Sequence, residues 1–220
     1  MPKAIVVEDA QLEHAVNVAR VSSAENGTRD AAVLLICFGT GLKPVEITQL
    51  LVRDYMGADG NPLADSQLRP EIAFNGRPRP LAWVNRKLVN AIDAHLDERL
   101  QRGLGVTNRP AAYRGLDPES ALLVSGRSGK GLKLTRVEHD GVVSYRADQI
   151  TALVRRLFAQ AGIDGASANS GRRTLAVKLK RKGVDERHIG EILGMTSLKA
   201  IKALCEADPV RISDLIKQAL

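Results

Sequence analysis

The stretch RDAAVLLICFGTGLKPVEITQLLVRDYM, residues 29–56, decides the fold. Its first half, AAVLLICF at 31–38, is apolar on nearly every side of a helix, the pattern of a central core helix rather than a surface one. Thr28-Arg29-Asp30 suits its start and Gly39-Thr40-Gly41 its end. Pro44 then fits the first turn of a new helix, PVEITQLLV, with Glu46 near that helix's positive end. Residues 57–70 follow as a turn-rich connection.

Outward from this stretch, the chain reads as helices with a few strands. Asp9 to about Arg20 is amphipathic, with Leu12, Val16 and Ala19 spaced for one face. EIAF-NG-RPRPL (71–81) reads as a hairpin, because Asn75-Gly76 suits a tight two-residue turn. Pro78 and Pro80 push its second strand to an edge. Trp83 to about Arg102 is a long helix, 103–119 a loop, and ALLV at 121–124 a short buried strand before the basic loop GRSGKGLKL. Helices are predicted at about 146–161, 170–182, 185–193, 197–206 and 209–219, separated by Gly162, Gly183, Gly194 and Pro209. With no internal repeat and no clear linker, residues 1–220 read as one α+β, mainly α-helical domain with a small antiparallel β-sheet.

Composition narrows the function classes. No apolar run approaches the roughly 20 residues of a membrane span, and MPKAIVVEDA lacks a signal-peptide pattern. Cys37 and Cys205 lie in apolar stretches, which fits a reduced, cytoplasmic setting. His14, His95, His139 and His188 are scattered, and no metal site or cofactor is expected. GRSGKG at 126–131 has the wrong spacing for a phosphate loop and reads as a basic surface loop.

The net charge of +7 is unevenly spread. Residues 1–68 carry 5 basic and 9 acidic groups, whereas 69–114 carry 9 against 4, 120–136 carry 4 against none, and 165–220 carry 11 against 6. Three separated segments supply the excess, and brought to one face they would track phosphates. Within the last, GRRTLAVKLKRKG (171–183) opens a helix whose free N–H groups, beside Arg172 and Arg173, suit a phosphate clamp.

In the order of these pieces the chain resembles the catalytic domain of the tyrosine recombinases, or phage integrases, over about Asp9 to Leu204. Residues 29–56 are similar to the family's first box and EIAFNGRPRPL to its β-hairpin. ANSGRRTLAVKLKRKGVDERHIGEILGMTS resembles the second box, where an HxxR motif opens a helix and LGH follows. The resemblance implies two arginines and two histidine-type donors on the scissile phosphate, a hairpin lysine that protonates the leaving oxygen, and a tyrosine nucleophile.

Carried over by position, the first arginine is Lys43, which keeps the charge and loses the planar fork. The hairpin lysine is Asn75, the first histidine Asn169, the LGH histidine Met195, and the tyrosine Leu204. Only Arg172 keeps its residue type. Leucine cannot attack phosphorus, the tyrosines at 55, 113 and 145 all lie upstream of the second box, and Cys205 would point about 100° from Leu204 on a helix. Glu46 and Asp54 match structural positions of the family.

The expected function is therefore that of a non-catalytic, recombinase-like protein with an accessory or regulatory role in the recombination or integration of a mobile element. It is expected to hold double-stranded DNA through Lys43, Arg77, Arg79, Arg127, Lys130, Arg172, Arg173 and Lys178. The roughly 28 residues before the first box are too few for the family's separate clamp domain, so a second copy or a partner recombinase, docked through the amphipathic 208–220 segment, is expected to assist. Two alternatives stay open: an active recombinase with a displaced or trans-supplied nucleophile, and a protein-interaction scaffold.

Overall fold

The helix α2 (Gly27–Gly39) runs through the middle of the structure, a computed structural model that describes residues 4–109 and 111–206. Ala31 to Leu34, Ile36, Cys37 and Phe38 are all buried, so the apolar 31–38 run is central as its composition requires. Each fully buried Leu or Ile in it contributes about 1.5–3 kcal/mol. Around it pack α1 (Asp9–Ser22), α5 (Arg86–Gln101), α6 (Asp148–Gln160) and α7 (Ala168–Arg181). α1 turns Ala15, Val16 and Ala19 inward, and its start is closed by Gln11, whose Oε1 accepts from the Glu8 amide.

A second, smaller apolar cluster joins α7 to α8 (Glu186–Leu193) and α9 (Leu198–Cys205) through Ala176, Ile189, Leu193, Ile201 and Cys205. Gly171 sets how α7 meets α2: a Cβ built there would overlap the Cys37 carbonyl oxygen, so the two backbones touch. This crossing fixes Arg172, the next residue, against the loop that leaves α2.

Three expectations need correction. PVEITQLLV forms two single turns, α3 (Pro44–Ile47) and α4 (Val52–Tyr55), because residues 50–51 extend to pair with the chain at 121–122. Leu122 N donates to Leu50 O, and Leu51 bridges Ala121. For the same reason ALLV is buried but makes only isolated bridges rather than a strand.

The hairpin is also displaced. β2 (Arg79–Ala82) pairs antiparallel with β1 (Asp65–Leu68), not with EIAF, in the register Leu68 to Arg79 and Asp65 to Ala82. Residues 69–78 are the connection. Ile72 and Ala73 bury their side chains in a turn whose amides both donate to Arg69 O, which removes EIAF from strand pairing. Asn75 acts inside this loop through its side chain: Oδ1 accepts from the Arg77 amide.

A further hairpin, β3 (Thr135–His139) with β4 (Val142–Arg146), stands over residues to which the sequence reading assigns no element. Its turn is Asp140-Gly141, both with positive φ (51° and 74°), the geometry an Asp-Gly pair favours. The sheet content is thus two separate two-stranded sheets among the described residues. The predicted 209–219 helix lies outside the described residues. Among those described, no helix is long and apolar enough to cross a membrane.

Candidate nucleic-acid interface

Glu46 is the fixed point of the site. It is fully buried, and its carboxylate accepts from the Lys43 amide at 2.6 Å, from the Phe74 amide at 3.1 Å and from both terminal nitrogens of Arg79 at 2.8 and 2.5 Å. The first bond caps α3, and the others tie the 69–78 loop and β2 to that helix start. Asp54 has the same role in α4. It takes the Leu51 amide and both ends of the Arg69 guanidinium, while the Asp54 carbonyl accepts from Trp83 Nε1. Both carboxylates are structural, as their matches to the family pattern imply.

Above Glu46 three cations gather around one ring. Lys43 Nζ stands 3.3 Å from the centroid of Phe74, with the guanidinium carbons of Arg172 and Arg79 at 5.6 and 5.7 Å. Three positive groups face one carboxylate, a surplus of two charges; Glu46, Arg79 and Arg172 are buried and Lys43 is half-buried. The electrostatics register it. Burial lowers the Lys43 pKa, repulsion from Arg172 and Arg79 adds to this, and Glu46 offsets some of it. Burial also holds Arg172 down to about 10, with Arg79 repelling it and Glu46 attracting it. Arg172 is positioned by two carbonyls, donating to Gly41 O at 2.6 Å and Leu193 O at 2.8 Å.

Of the remaining site positions, Asn75 is brought beside the end of α8. Asn75 Nδ2 donates to Gly194 O at 3.1 Å, which fastens the loop to the end of α8. Gly194 is the left-handed cap of that helix (φ 65°), and Arg79 packs where a side chain there would stand. Met195 follows, half-buried against the α7–α9 cluster, and Leu204 lies half-buried in the same cluster. Asn169 is exposed on the first turn of α7. Arg77, Arg127 and Lys130 are exposed.

Three of the predicted phosphate contacts are held by other groups of the protein. Arg79 is buried and committed to Glu46. Arg173 is buried and donates to the carbonyls of Ala4 and Glu206, so it ties the segments before α1 and after α9 to α7 rather than reaching a surface. Lys178 pairs with Asp9 at 2.5 Å, across the α1 side. Helix geometry explains the split: at about 100° per residue, Arg173 and Lys178 lie about 100° and 240° around α7 from Arg172. The start of α7 is also earlier than expected, with Ser170 Oγ taking the Ser167 amide. Phe74 was not legible as a site residue, because nothing in EIAF marks its ring as the centre of a cation cluster. The β3–β4 ribbon did have a signal, Asp-Gly between alternating residues. It runs beside α3 and leaves Val142, Val143 and Tyr145 exposed.

No family model matches the sequence, and no curated protein matches it. Solved structures do. XerA recombinase aligns with all of this chain and 64% of its own, at a TM-score of 0.65 and 20% identity. XerH site-specific recombinase, bound to palindromic difH substrate in a post-cleavage complex, aligns over 99% of this chain and 54% of its own, at 0.62 and 17%. Tn1549 transposon integrase, in complex with circular intermediate DNA, aligns over 100% and 68%, at 0.56 and 14%. The chain therefore has a tyrosine-recombinase catalytic-domain-like fold, and it spans about half to two thirds of the length of these proteins.

Proposed function

We propose that this chain is a DNA-binding protein built on the recombinase fold, one that holds duplex backbone without cutting it and serves an accessory or regulatory role in recombination or integration. The observation that carries the reading is the surplus of two positive charges at Lys43, Arg79 and Arg172 over the single carboxylate of Glu46. A largely buried excess of this kind, open to solvent through Lys43, favours an anion. Lys43 and Arg172 contact the backbone, and the exposed Arg77, Arg127 and Lys130 add contacts along it.

The absence of cutting follows from the side chains at the reacting positions. Leu204 and Met195 offer neither an attacking oxygen nor a proton to give. Tyr55 is a core residue whose hydroxyl donates to Asp93 at 2.9 Å. Cys205 is buried, and burial raises its thiol pKa, which leaves little thiolate at neutral pH. The alternative of a displaced nucleophile is favoured by one observation: Tyr145 is exposed on β4, the strand beside α3.

Two measurements test the proposal. Affinity for a duplex of about 30 bp, followed from about 50 to 300 mM salt, is expected to fall with a log–log slope of about −4 to −5, the value for about five phosphate contacts. No binding at the lowest salt, or a flat response, overturns the DNA reading and leaves the scaffold alternative. A nicked suicide duplex is expected to yield no covalent adduct on a denaturing gel; an adduct lost in Tyr145→Phe would replace this reading with the enzymatic one.

A further inference from the structure

Two cavities open on the surface away from the Phe74 cluster, and their electrostatics differ. The larger, about 690 Å³ between α1, α5 and α7, mixes three acidic with five basic side chains; all three acids are matched in the pairs Lys178–Asp9, Arg181–Glu8 and Lys87–Glu13, and Arg20 and Lys182 complete the lining. The smaller, about 590 Å³, lies between the first turn of α2, the 125–133 segment and α6. Every described ionisable side chain lining it is cationic: Arg29, Lys130, Lys133 and Arg156. Among the described residues the one acid paired with them, Asp30, is fully buried and does not line the cavity. It is held by Arg29 at 2.8 and 2.5 Å and by Arg156 at 3.5 Å. Four cations against one carboxylate leave a surplus of three.

The way this segment uses its donors defines what it can hold. Ser125 N donates to Lys130 O, Gly129 N to Ser125 O and Lys130 N to Ser128 Oγ, so the amides of Ser125, Gly129 and Lys130 are consumed within the 125–130 loop and are not free for a phosphate cradle. Lys133 N donates to Gln149 Oε1, which leaves Gln149 Nε2 as a donor in the lining. Recognition here belongs to side chains. Among the described residues neither Lys130 nor Lys133 has a salt-bridge partner, and both are exposed. None of the described lining residues is aromatic and able to stack on a base, and the volume is in the range of small-ligand sites.

We propose that this cavity is a second oxyanion site, one that takes adjacent phosphate groups by charge and not by base. A surplus of three charges suits two or three phosphoryl groups better than a single carboxylate. Such a run of phosphates comes either from consecutive phosphodiesters of a nucleic acid, a source that rests on the DNA reading above, or from a free polyphosphate. No lining residue is shared with the Lys43–Arg172 cluster.

Isothermal titration with inorganic tripolyphosphate tests it. The full chain is expected to bind saturably, and the double variant Lys130→Ala/Lys133→Ala, both surface positions, is expected to bind at least about tenfold more weakly. Lys199→Ala, at an exposed lysine of α9 outside both cation clusters, is expected to bind tripolyphosphate as the unaltered chain does. No saturable binding at millimolar tripolyphosphate overturns the proposal, and so does an equal loss in Lys199→Ala. Where the site is confirmed, displacement of tripolyphosphate by duplex identifies the phosphodiester source, and undiminished binding beside saturating duplex identifies the free one. A chain that binds tripolyphosphate but no duplex keeps this site while removing the DNA reading.

Discussion

The ammonium of Lys43 stands over the ring of Phe74, 3.3 Å from its centroid. The ring stabilises a cation that burial and two neighbouring guanidiniums disfavour, and an anion bound to Lys43 would draw the ammonium away from that contact. Phosphate and ring thus compete for Lys43. Phe74→Ala removes the competitor at the expense of a cation–π contact of about 0.5–2 kcal/mol. The expected outcome is duplex binding about three- to tenfold tighter, read by fluorescence anisotropy at fixed salt. Weaker binding would mean that the 39%-exposed ring itself touches the nucleic acid.

Glu46 makes the opposite kind of contribution, to stability. Glu46→Gln leaves the shape but strips Arg79, a buried guanidinium, of its counter-charge. Breaking one partner of a buried pair costs about 3–5 kcal/mol, a fall in Tm of roughly 6–20 °C for a chain of this size. Thermal unfolding checks it. A shift under about 2 °C would show that solvent reaches Arg79 and relieves it.

Much of the fold was legible because single elements write it. α1, α5, α6 and α8 each bury one face, and α6, α7 and α8 end beside Gly162, Gly183 and Gly194, so periodicity and turn chemistry locate them. What failed depended on partners distant in sequence. Residues 50–51 leave the helix because 121–122 offers a pairing, and EIAF folds into a turn whose Phe74 amide is claimed by Glu46, 28 residues earlier. Arg172 and Arg173 are indistinguishable as letters. One faces the site and the other the core, and the difference is set by the Ala4 and Glu206 carbonyls, 169 and 33 residues away. Of the site, the cations at 43 and 172 were readable; the ring that organises them was not.

Gly171 carries a test of how the site is held in place. A Cβ there would overlap the Cys37 carbonyl oxygen, a backbone atom in the last turn of α2 that no rotamer change can move. Gly171→Ala is expected to force α7 from α2 and cost about 3 kcal/mol or more, although alanine is the better helix former by about 1 kcal/mol. Because Arg172 is adjacent, duplex affinity should fall in whatever fraction remains folded. Urea unfolding with a parallel binding assay measures both, and a stabilised variant would refute the tight crossing.

His95 ties stability to pH. Its ring is buried and Val124 N donates to Nε2 at 3.4 Å, an arrangement that requires neutral imidazole. Burial first, and then the charges of Arg99 and Arg29, hold its pKa down to about 3, against 6.5 for the free side chain. The unfolded chain therefore takes up a proton as pH drops through 6.5, while the folded chain resists it until about 3. The stabilising contribution is complete above pH 6.5 and is lost between 6.5 and 3, at a limiting slope on the order of 1.4 kcal/mol per pH unit. His95→Gln keeps an acceptor without the titration, so its stability should be flatter between about pH 6.5 and pH 4.5, above the range where most carboxylates protonate. Urea midpoints across that range decide it: parallel curves for the two proteins would assign the pH dependence to groups other than His95.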